Sequence, residues 1–208
     1  MHHVHRGVCP SCLRRFRPGE DRWEDADASV RQELRTRIHE MQAGLCSYCE
    51  APLPSDWHIE HLWPRARFPQ RTFDWSNLFG SCHRRDSCGR HKDHKVRDYD
   101  PADLIDPAAE DPDGYLFFAR DGQVHPRQGL GVSEARKAAE TIRVFNLNAP
   151  ALVACRKRVV DTVLQAEPQI EDLLRDCSDC ERGQWVCELL NDYCTDGFMT
   201  PVRHLLCA

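Results

Sequence analysis

Apolar residues recur at helical spacing in the first third of the chain. Four of them lie three or four positions apart, which is the repeat of one helix face; they are Val30, Leu34, Ile38 and Met41. Ser29 and Gln32 match the spacing of a capping box, and Gly44 is a typical residue at a helix end. The pattern predicts a structural helix from about residue 29 to residue 43.

Short apolar runs in the middle of the chain predict two small β-structures. An extended segment around residues 57–62 is followed by a short strand near residues 78–79, and a basic helix is expected from about Cys88. Further along, the stretch GYLFFARDGQVHP contains Asp121-Gly122, a strong signal for a hairpin turn between two strands.

The last part of the chain has a helical pattern. Ser133 is the expected N-cap of one helix, Pro150 is a favourable first-turn residue of a second, and a third helix is expected after Pro168. Together with the preceding segments, this predicts an α+β protein that is mostly helical and carries small β-hairpins.

The composition is typical of a folded globular protein. The chain has 208 residues, of which 41% are hydrophobic and 29% are charged. No apolar run approaches the roughly 20 residues of a membrane span, and the start of the chain lacks the pattern of a signal peptide. We therefore expect a cytoplasmic protein without a membrane partner.

Twelve cysteines are many for a cytoplasmic chain, where Cys-x-x-Cys spacing points first to metal binding. Cys46-x-x-Cys49 combined with Cys82 and Cys88 predicts a structural zinc site with four thiolate ligands. Five residues separate the last two cysteines, which leaves His83 as an alternative fourth ligand. Buried free thiols are the other interpretation, but the polar neighbours of Cys82 and Cys88 favour zinc.

The remaining cysteines have weaker patterns. Cys9-x-x-Cys12 allows a second zinc site, either with nearby histidines or jointly with Cys177-x-x-Cys180. Three cysteines lie seven residues apart, a spacing that favours packing on one helix face; they are Cys180, Cys187 and Cys194.

A carboxylate beside a histidine, Glu60-His61, lies between the two halves of the predicted zinc site. Hydrolysis of a phosphodiester needs a base for water and a divalent cation for the developing charge, and a neutral histidine is a suitable base near pH 7. In an extended strand the two side chains would point to opposite faces. An acid–histidine pair on a surface strand is the alternative, and the flanking thiols argue against it.

The charge distribution is uneven. Residues 61–97 contain nine Arg or Lys against three Asp, a local charge of +6, whereas the whole chain carries -5. A basic surface on an acidic body fits a site that contacts phosphates on a protein with a further partner. The candidate phosphate contacts are Arg65, Arg67, Arg84, Arg85 and Lys92. A solvated basic helix face is the alternative.

Four segments carry a family resemblance: QAGLCSYCE, HIEHLWPR, FDWSNLFGSC and CGRHKD. Their residues and order resemble the HNH, or ββα-metal, endonucleases, and more closely the HNH endonucleases associated with retrons and with Septu antiphage systems (PtuB-like proteins). The resemblance extends over about residues 31–147. It implies a zinc-stabilised ββα-metal nuclease core over residues 45–98, between an N-terminal segment and helix (1–44) and a β-hairpin with a C-terminal helical region (99–208).

The resemblance also implies catalytic roles. His61 matches the general base, Glu60 matches a ligand of a catalytic Mg²⁺ or Mn²⁺ ion, and Asn77 matches the central asparagine, which more often braces the loop than contacts substrate. The third motif residue is usually three positions before a lysine. Counted back from Lys92, that position is Gly89, which has no ligand atom.

The glycine at this position moves the prediction to a neighbouring histidine. We expect His91 to be the second ligand of the catalytic ion, with His83 and His94 as alternatives. The same departure from the motif supports a second hypothesis, in which the chain is a catalytically inactive, zinc-stabilised module that binds nucleic acid or protein.

The resemblance implies partners as well. These are a nucleic acid, DNA in preference to RNA, and a PtuA-like ATPase, with a retron reverse transcriptase and its DNA–RNA product as a further partner. The implied role is that of an effector nuclease in antiphage defence. A ribonuclease acting on structured RNA is an alternative, because the chemistry of the site does not distinguish the two sugars.

Overall fold

The computed structural model describes residues 1–170, 172, 178, 181–186, 188 and 197–207. Over these residues the chain forms helices and two small antiparallel sheets, which confirms the predicted mixture of helices and small sheets. Two predictions lie outside the described residues. They are the helix face of Cys180, Cys187 and Cys194, and the joint site of Cys9 and Cys12 with Cys177 and Cys180.

Helix α1 spans Ala28–Met41 and buries Val30, Leu34 and Ile38, as the apolar repeat predicts. The predicted capping box at Ser29 is wrong. The N-cap is Asp27, whose carboxylate accepts a hydrogen bond from the Val30 backbone N–H at 2.9 Å and one from the Ser29 hydroxyl at 2.6 Å. A carboxylate at the N-cap satisfies a free backbone donor and also interacts favourably with the helix dipole.

Strands β1 (His58–His61) and β2 (Leu78–Ser81) pair antiparallel, with His58 opposite Ser81 and His61 opposite Leu78. A long loop of residues 62–77 connects them. Helix α2 (Cys88–Lys95) begins seven residues after β2. Strand β2 is buried along its whole length and packs against α1.

The predicted second hairpin is confirmed. Strands β3 (Leu116–Phe118) and β4 (Val124–Pro126) pair antiparallel on either side of the Asp121-Gly122 turn. Gly122 has a φ of +87°, and a Cβ atom there would lie 2.3 Å from the carbonyl oxygen of Val153. The turn therefore needs glycine both for its backbone conformation and for its close approach to a helix.

The later helices are α3 (Val132–Val144), α4 (Pro150–Ala166) and α5 (Met199–Leu206). Pro150 starts α4 as predicted. The N-cap of α3 is Gly131 and not Ser133, because the Glu134 carboxylate accepts a hydrogen bond from the Gly131 N–H at 3.0 Å. The third helix expected after Pro168 falls largely outside the described residues. None of the helices in the described part of the chain has the length and apolar composition of a membrane span.

The largest hydrophobic cluster contains residues from each of the three predicted ranges 1–44, 45–98 and 99–208. The ring of Tyr48 stacks on that of Phe145 with a centroid distance of 3.9 Å. Glu50 accepts a hydrogen bond from the Thr200 hydroxyl at 2.6 Å, which joins the Cys46–Cys49 turn to α5. The region around β1, β2 and α2 is thus held by packing on both sides.

Candidate metal centre and active-site cleft

Four thiols converge at the junction of three elements. Cys46 and Cys49 lie in a tight turn, in which the Cys46 N–H donates to the Ala51 carbonyl at 2.8 Å and the Glu50 N–H donates to the Cys46 carbonyl at 3.0 Å. Cys82 directly follows β2, and Cys88 is the first residue of α2. All four are buried.

The geometry fits one zinc ion. The four sulfur atoms lie within 4.8 Å of one another, and the Sγ atoms of Cys49 and Cys82 are 3.8 Å apart. Four thiolates at ~2.3 Å from a tetrahedral zinc ion are separated by about 3.8 Å. Within the described part of the chain, these four cysteines form the group of three or more possible metal ligands, counting His, Cys, Asp and Glu, whose ligand atoms lie close enough together to share one ion.

The electrostatics also favour a cation. Burial would raise the pKa of the Cys46 thiol, but hydrogen bonds from the other three thiols lower it well below its usual value. The pKa values of Cys49 and Cys88 are raised, mainly because their thiols donate to the Cys46 sulfur. The protein alone therefore concentrates negative charge on one sulfur, whereas a dication stabilises all four as thiolates.

The alternative ligands lie elsewhere. The Nε2 atom of His83 contacts the guanidinium of Arg90, and His83 is not part of the thiol group. Cys9 is exposed and Cys12 is half-buried. Burial and a hydrogen bond to Glu33 raise the pKa of the Cys12 thiol to about 11, which disfavours the thiolate that zinc would need.

A cleft of about 560 Å³ lies between β1, the following loop and α2. Its polar lining consists of His58, Glu60, His61, Arg65, Arg90, Asp93 and His94. Side chains alternate along a strand, so His58 and Glu60 lie on one face of β1 and His61 lies on the other. Residues from both faces of β1 nevertheless line the cleft, together with the start of the following loop.

Glu60 is buried, with 1% of its surface exposed, and it is ionised. Its Oε1 atom is 2.8 Å from the ammonium of Lys92, and its Oε2 atom is 3.4 Å from the Nε2 atom of His58. Burial alone would raise the pKa of Glu60, but the Lys92 charge and the contact with His58 lower it to about 2. The carboxylate is therefore available as a ligand at any physiological pH.

Lys92 is an internal cation. It is fully buried, and its ammonium also lies 2.6 Å from the Asp93 carboxylate and 3.0 Å from the His61 carbonyl oxygen. Burial would lower the pKa of Lys92, but the charges of Glu60 and Asp93 raise it. The ammonium of Lys92 thus partly neutralises the carboxylates of Glu60 and Asp93, which line the cleft.

His61 is held as a neutral imidazole. Its Nε2 atom is 2.9 Å from the Thr72 carbonyl, and since a carbonyl can only accept, Nε2 carries the proton. The rings of Trp23 and His61 are perpendicular, with a centroid distance of 4.9 Å. Burial lowers the pKa of His61 to about 4. The neutral ring therefore has its lone pair on Nδ1, as a general base requires.

Asn77 organises the loop between the strands. Its side-chain nitrogen donates to the carbonyls of Trp63 and Arg71 at 3.0 and 2.9 Å, and its side-chain oxygen accepts from the Trp63 N–H at 2.7 Å. Asn77 is fully buried. In this position it shapes the loop that carries Thr72, the partner of His61.

The structure brings together some of the predicted site residues and not others. Glu60, His61, Arg65 and the alternative ligand His94 line the cleft. The Nδ1 atom of His91 lies 2.9 Å from the Val144 carbonyl at the end of α3, and His91 does not line the cleft. The other predicted residues outside its lining are Asn77, His83, Arg67, Arg84, Arg85 and Lys92.

The predicted phosphate contacts have different environments. Arg65 is exposed and lies over the ring of Trp23, with its guanidinium 5.7 Å from the ring centroid. Arg67 donates to the Tyr99 carbonyl at 2.8 Å, and Arg84 lies 3.9 Å from the sulfur of Cys155. Arg85 is exposed.

Sequence reasoning missed four residues at or beside the cleft: His58, Arg90, Asp93 and Trp23. His58 could have been found from the strand period, because it lies two residues before Glu60. Asp93 lies four residues after Gly89 and therefore on the same side of α2. Trp23 approaches His61 from a distant part of the chain, and no sequence pattern signals this contact.

Comparison with known proteins supports the resemblance of the sequence motifs. No family model matches the chain. A candidate HNH endonuclease of retron Vc95 from Vibrio cholerae serotype O1 biovar El Tor is 27% identical over 143 residues, which cover 65% of this chain and 67% of the relative. The Septu protein PtuB from Bacillus thuringiensis is 23% identical over 170 residues, which cover 66% of this chain and 64% of that protein.

These two similarities confirm the resemblance to the retron-associated and Septu PtuB-like proteins. The chain spans about two thirds of the length of each relative.

The zinc site is tested by metal content and by substitution of one ligand. Elemental analysis should find about one zinc per chain. Cys46→Ser should lose the metal and lower the midpoint of thermal unfolding by about 10 °C, because a structural zinc contributes folding energy directly. Cys155→Ser removes a half-buried thiol outside the group and should leave both values unchanged. A folded, metal-free wild-type protein would contradict the zinc assignment.

The role of Asn77 is tested by Asn77→Asp, which replaces a donor to two carbonyls with an acceptor. We expect the free energy of unfolding to fall by about 3 kcal/mol, because buried acceptors would then face one another. Asn146→Asp is the matched control, since its half-buried side chain donates to one carbonyl, that of Asp86, and not to two; its effect should stay below about 1 kcal/mol. If chemical denaturation gives the same loss of unfolding free energy for both variants, the hydrogen bonds of Asn77 stabilise the fold no more than the single one of Asn146.

Proposed function

We propose that the chain is a metal-dependent HNH endonuclease that hydrolyses phosphodiester bonds in DNA, with residues 45–98 as its ββα-metal core. The observation that carries this proposal is the cleft in which an ionised carboxylate, Glu60, lies beside a neutral imidazole, His61. The order of the elements, two paired strands followed by a helix, supports it. So do the names of the two relatives.

The donor set at Glu60 fits a divalent cation. A buried carboxylate that stays ionised is a hard oxygen ligand of the kind that Mg²⁺ and Mn²⁺ prefer. Lys92 occupies only the Oε1 side of this carboxylate. The bound cation would stabilise the charge that develops on the phosphate and on the leaving oxygen. We assign no ligand role to His91, whose ring contacts the end of α3.

In the proposed reaction, the Nδ1 atom of His61 accepts a proton from the attacking water. The water oxygen forms a bond to phosphorus as the bond to the leaving oxygen breaks, and the leaving oxygen takes up a proton from solvent. The hydrogen bond to the Thr72 carbonyl keeps Nε2 protonated and fixes the orientation of the ring. Trp23 and the surrounding loop keep the imidazole away from bulk water.

Two arginines provide the phosphate contacts in this proposal. Arg65 and Arg90 line the cleft from the loop side and from α2. Guanidinium groups pair well with phosphate oxygens. Lys92 is assigned the internal role of balancing Glu60, since it is fully buried. Exposed Arg67 and Arg85 remain candidates for contacts further along a nucleic-acid backbone.

The biological setting is also a proposal. The resemblance to proteins of retron and Septu systems supports a role as effector nuclease in antiphage defence. In such a role the protein would act with a PtuA-like ATPase, and in a retron also with the reverse transcriptase and its DNA–RNA product. The net charge outside residues 61–97 is -11, so the remainder of the surface is suited to a protein partner rather than to nucleic acid.

The proposal is tested by incubating the purified protein with DNA or RNA and Mn²⁺, in the presence and absence of an ATPase encoded beside it. We expect cleavage of DNA, and a loss of about 100-fold or more for His61→Ala, because a general base contributes 10²- to 10⁴-fold. His125→Ala, which changes an exposed histidine on β4, is the matched control and should cleave like the wild type.

Cleavage that persists in the His61→Ala protein would rule out the assigned base. Cleavage of RNA alone would favour the ribonuclease hypothesis. Binding of DNA by the wild type without cleavage, even with the ATPase present, would favour the inactive module.

A further inference from the structure

Resting on the proposed function, we infer that His58 is the nitrogen ligand of the catalytic cation and replaces the motif residue that is missing at Gly89. The cation would bind between the Nε2 atom of His58 and the Oε2 atom of Glu60. No role for His58 follows from the sequence motif, whose third position is Gly89, and the ligand expected from the sequence is the neighbouring His91. Three structural observations support the inference: the contacts of Gly89, the position of His58, and the different partners of the two oxygens of Glu60.

Gly89 marks where the usual third ligand would have been. A Cβ atom built on Gly89 would lie 2.3 Å from the Oε2 atom of Glu60 and 2.7 Å from its carboxyl carbon. The carboxylate therefore packs directly against the helix backbone, in space that a larger residue would occupy. Any side chain at this position would displace Glu60, so a second ligand has to come from another position in the chain.

Among the histidines that line the cleft, His58 is the one with a contact to Glu60 that the structure describes. It lies two residues before Glu60 on β1, and its Nε2 atom is 3.4 Å from the Glu60 Oε2 atom. Two adjacent ligands at ~2.2 Å from an octahedral cation are about 3.1 Å apart, so a small rotation of either side chain suffices. By contrast, the ring of His91 is hydrogen-bonded to the Val144 carbonyl and does not line the cleft.

The two oxygens of Glu60 have separate partners. Oε1 lies 2.8 Å from the Lys92 ammonium, whereas Oε2 faces His58 and Gly89. A cation at Oε2 thus need not displace the buried lysine. Asp93 lines the same cleft, is partly exposed and carries a second carboxylate.

A nitrogen ligand has a consequence for the choice of metal. Imidazole suits transition metals, while Mg²⁺ prefers oxygen ligands and retains its water. The site should therefore bind Mn²⁺ more tightly than Mg²⁺. Substitution of His58 by aspartate would make both ligands carboxylates and should move the preference toward Mg²⁺. A purely structural role of His58 would not produce such a change in metal preference.

The experiment measures Mn²⁺ and Mg²⁺ binding to the zinc-loaded full chain by calorimetry, and free Mn²⁺ by electron paramagnetic resonance. We expect His58→Gln to weaken Mn²⁺ binding by about 10-fold or more, the scale on which changes around a metal site act. Glu60→Gln should abolish it. His125→Gln, an exposed histidine on β4, is the matched control and should bind Mn²⁺ like the wild type.

The outcomes separate this inference from the proposed function. If His58→Gln binds Mn²⁺ like the wild type while Glu60→Gln does not, the inference is overturned and the nuclease proposal stands. If His91→Gln weakens binding and His58→Gln does not, the ligand is His91. If the wild type itself binds no Mn²⁺, the metal-dependent proposal fails.

Folding is controlled independently. Zinc content and the thermal midpoint show whether each variant retains its scaffold, and His58→Asp provides a second substitution with a directional readout. A folded His58→Asp protein whose preference between Mn²⁺ and Mg²⁺ equals that of the wild type would also overturn the inference.

Discussion

Four buried sulfur atoms within 4.8 Å of one another are the constraint on which the site depends. Thiolates this close repel strongly in a low-dielectric interior, and a dication turns that repulsion into attraction. The sulfurs belong to the Cys46–Cys49 turn, to the end of β2 and to the start of α2. One ion bound there would fix the helix relative to the strands, each of which is too short to be stable alone.

The fixed helix then determines the chemistry of the cleft. Gly89 follows Cys88, the last of the four clustered cysteines, and lets the helix backbone approach the Glu60 carboxylate. Lys92, one turn later, supplies the compensating charge. His61 is the next residue along β1, but it is held by the loop through Thr72. Both adjacent residues are thus deprotonated: the Lys92 charge outweighs burial and keeps the carboxylate charged, and burial outweighs the nearby Glu60 charge and keeps the imidazole neutral.

The features that could be predicted from the sequence are those encoded by spacing. The apolar repeat predicted α1, and the Asp121-Gly122 turn predicted the second hairpin. The positions of four cysteines predicted the cluster of thiols. The helix starts were less predictable. Asp27 lies two residues before Ser29, and its charged carboxylate accepts from the Val30 N–H and the Ser29 hydroxyl, so the helix starts earlier than the Ser29 pattern predicts.

The site was predictable only in part. The spacing of the motif predicted Glu60 and His61 as site residues and showed that Gly89 lacks a ligand atom. Spacing along the chain does not determine the direction in which a side chain points. His91 is close to Gly89 in sequence and lies on a different side of α2, against α3. His58 follows from strand alternation, whereas Trp23 reaches His61 through a long-range contact that only the folded chain reveals.

The central claim is that four thiolates bind one zinc ion and thereby join the strands to the helix. X-ray absorption at the zinc edge of the purified protein tests it most directly. The account predicts a first shell of four sulfur atoms at about 2.3 Å. A first shell that contains nitrogen or oxygen, or a folded protein that yields no zinc signal, would contradict it.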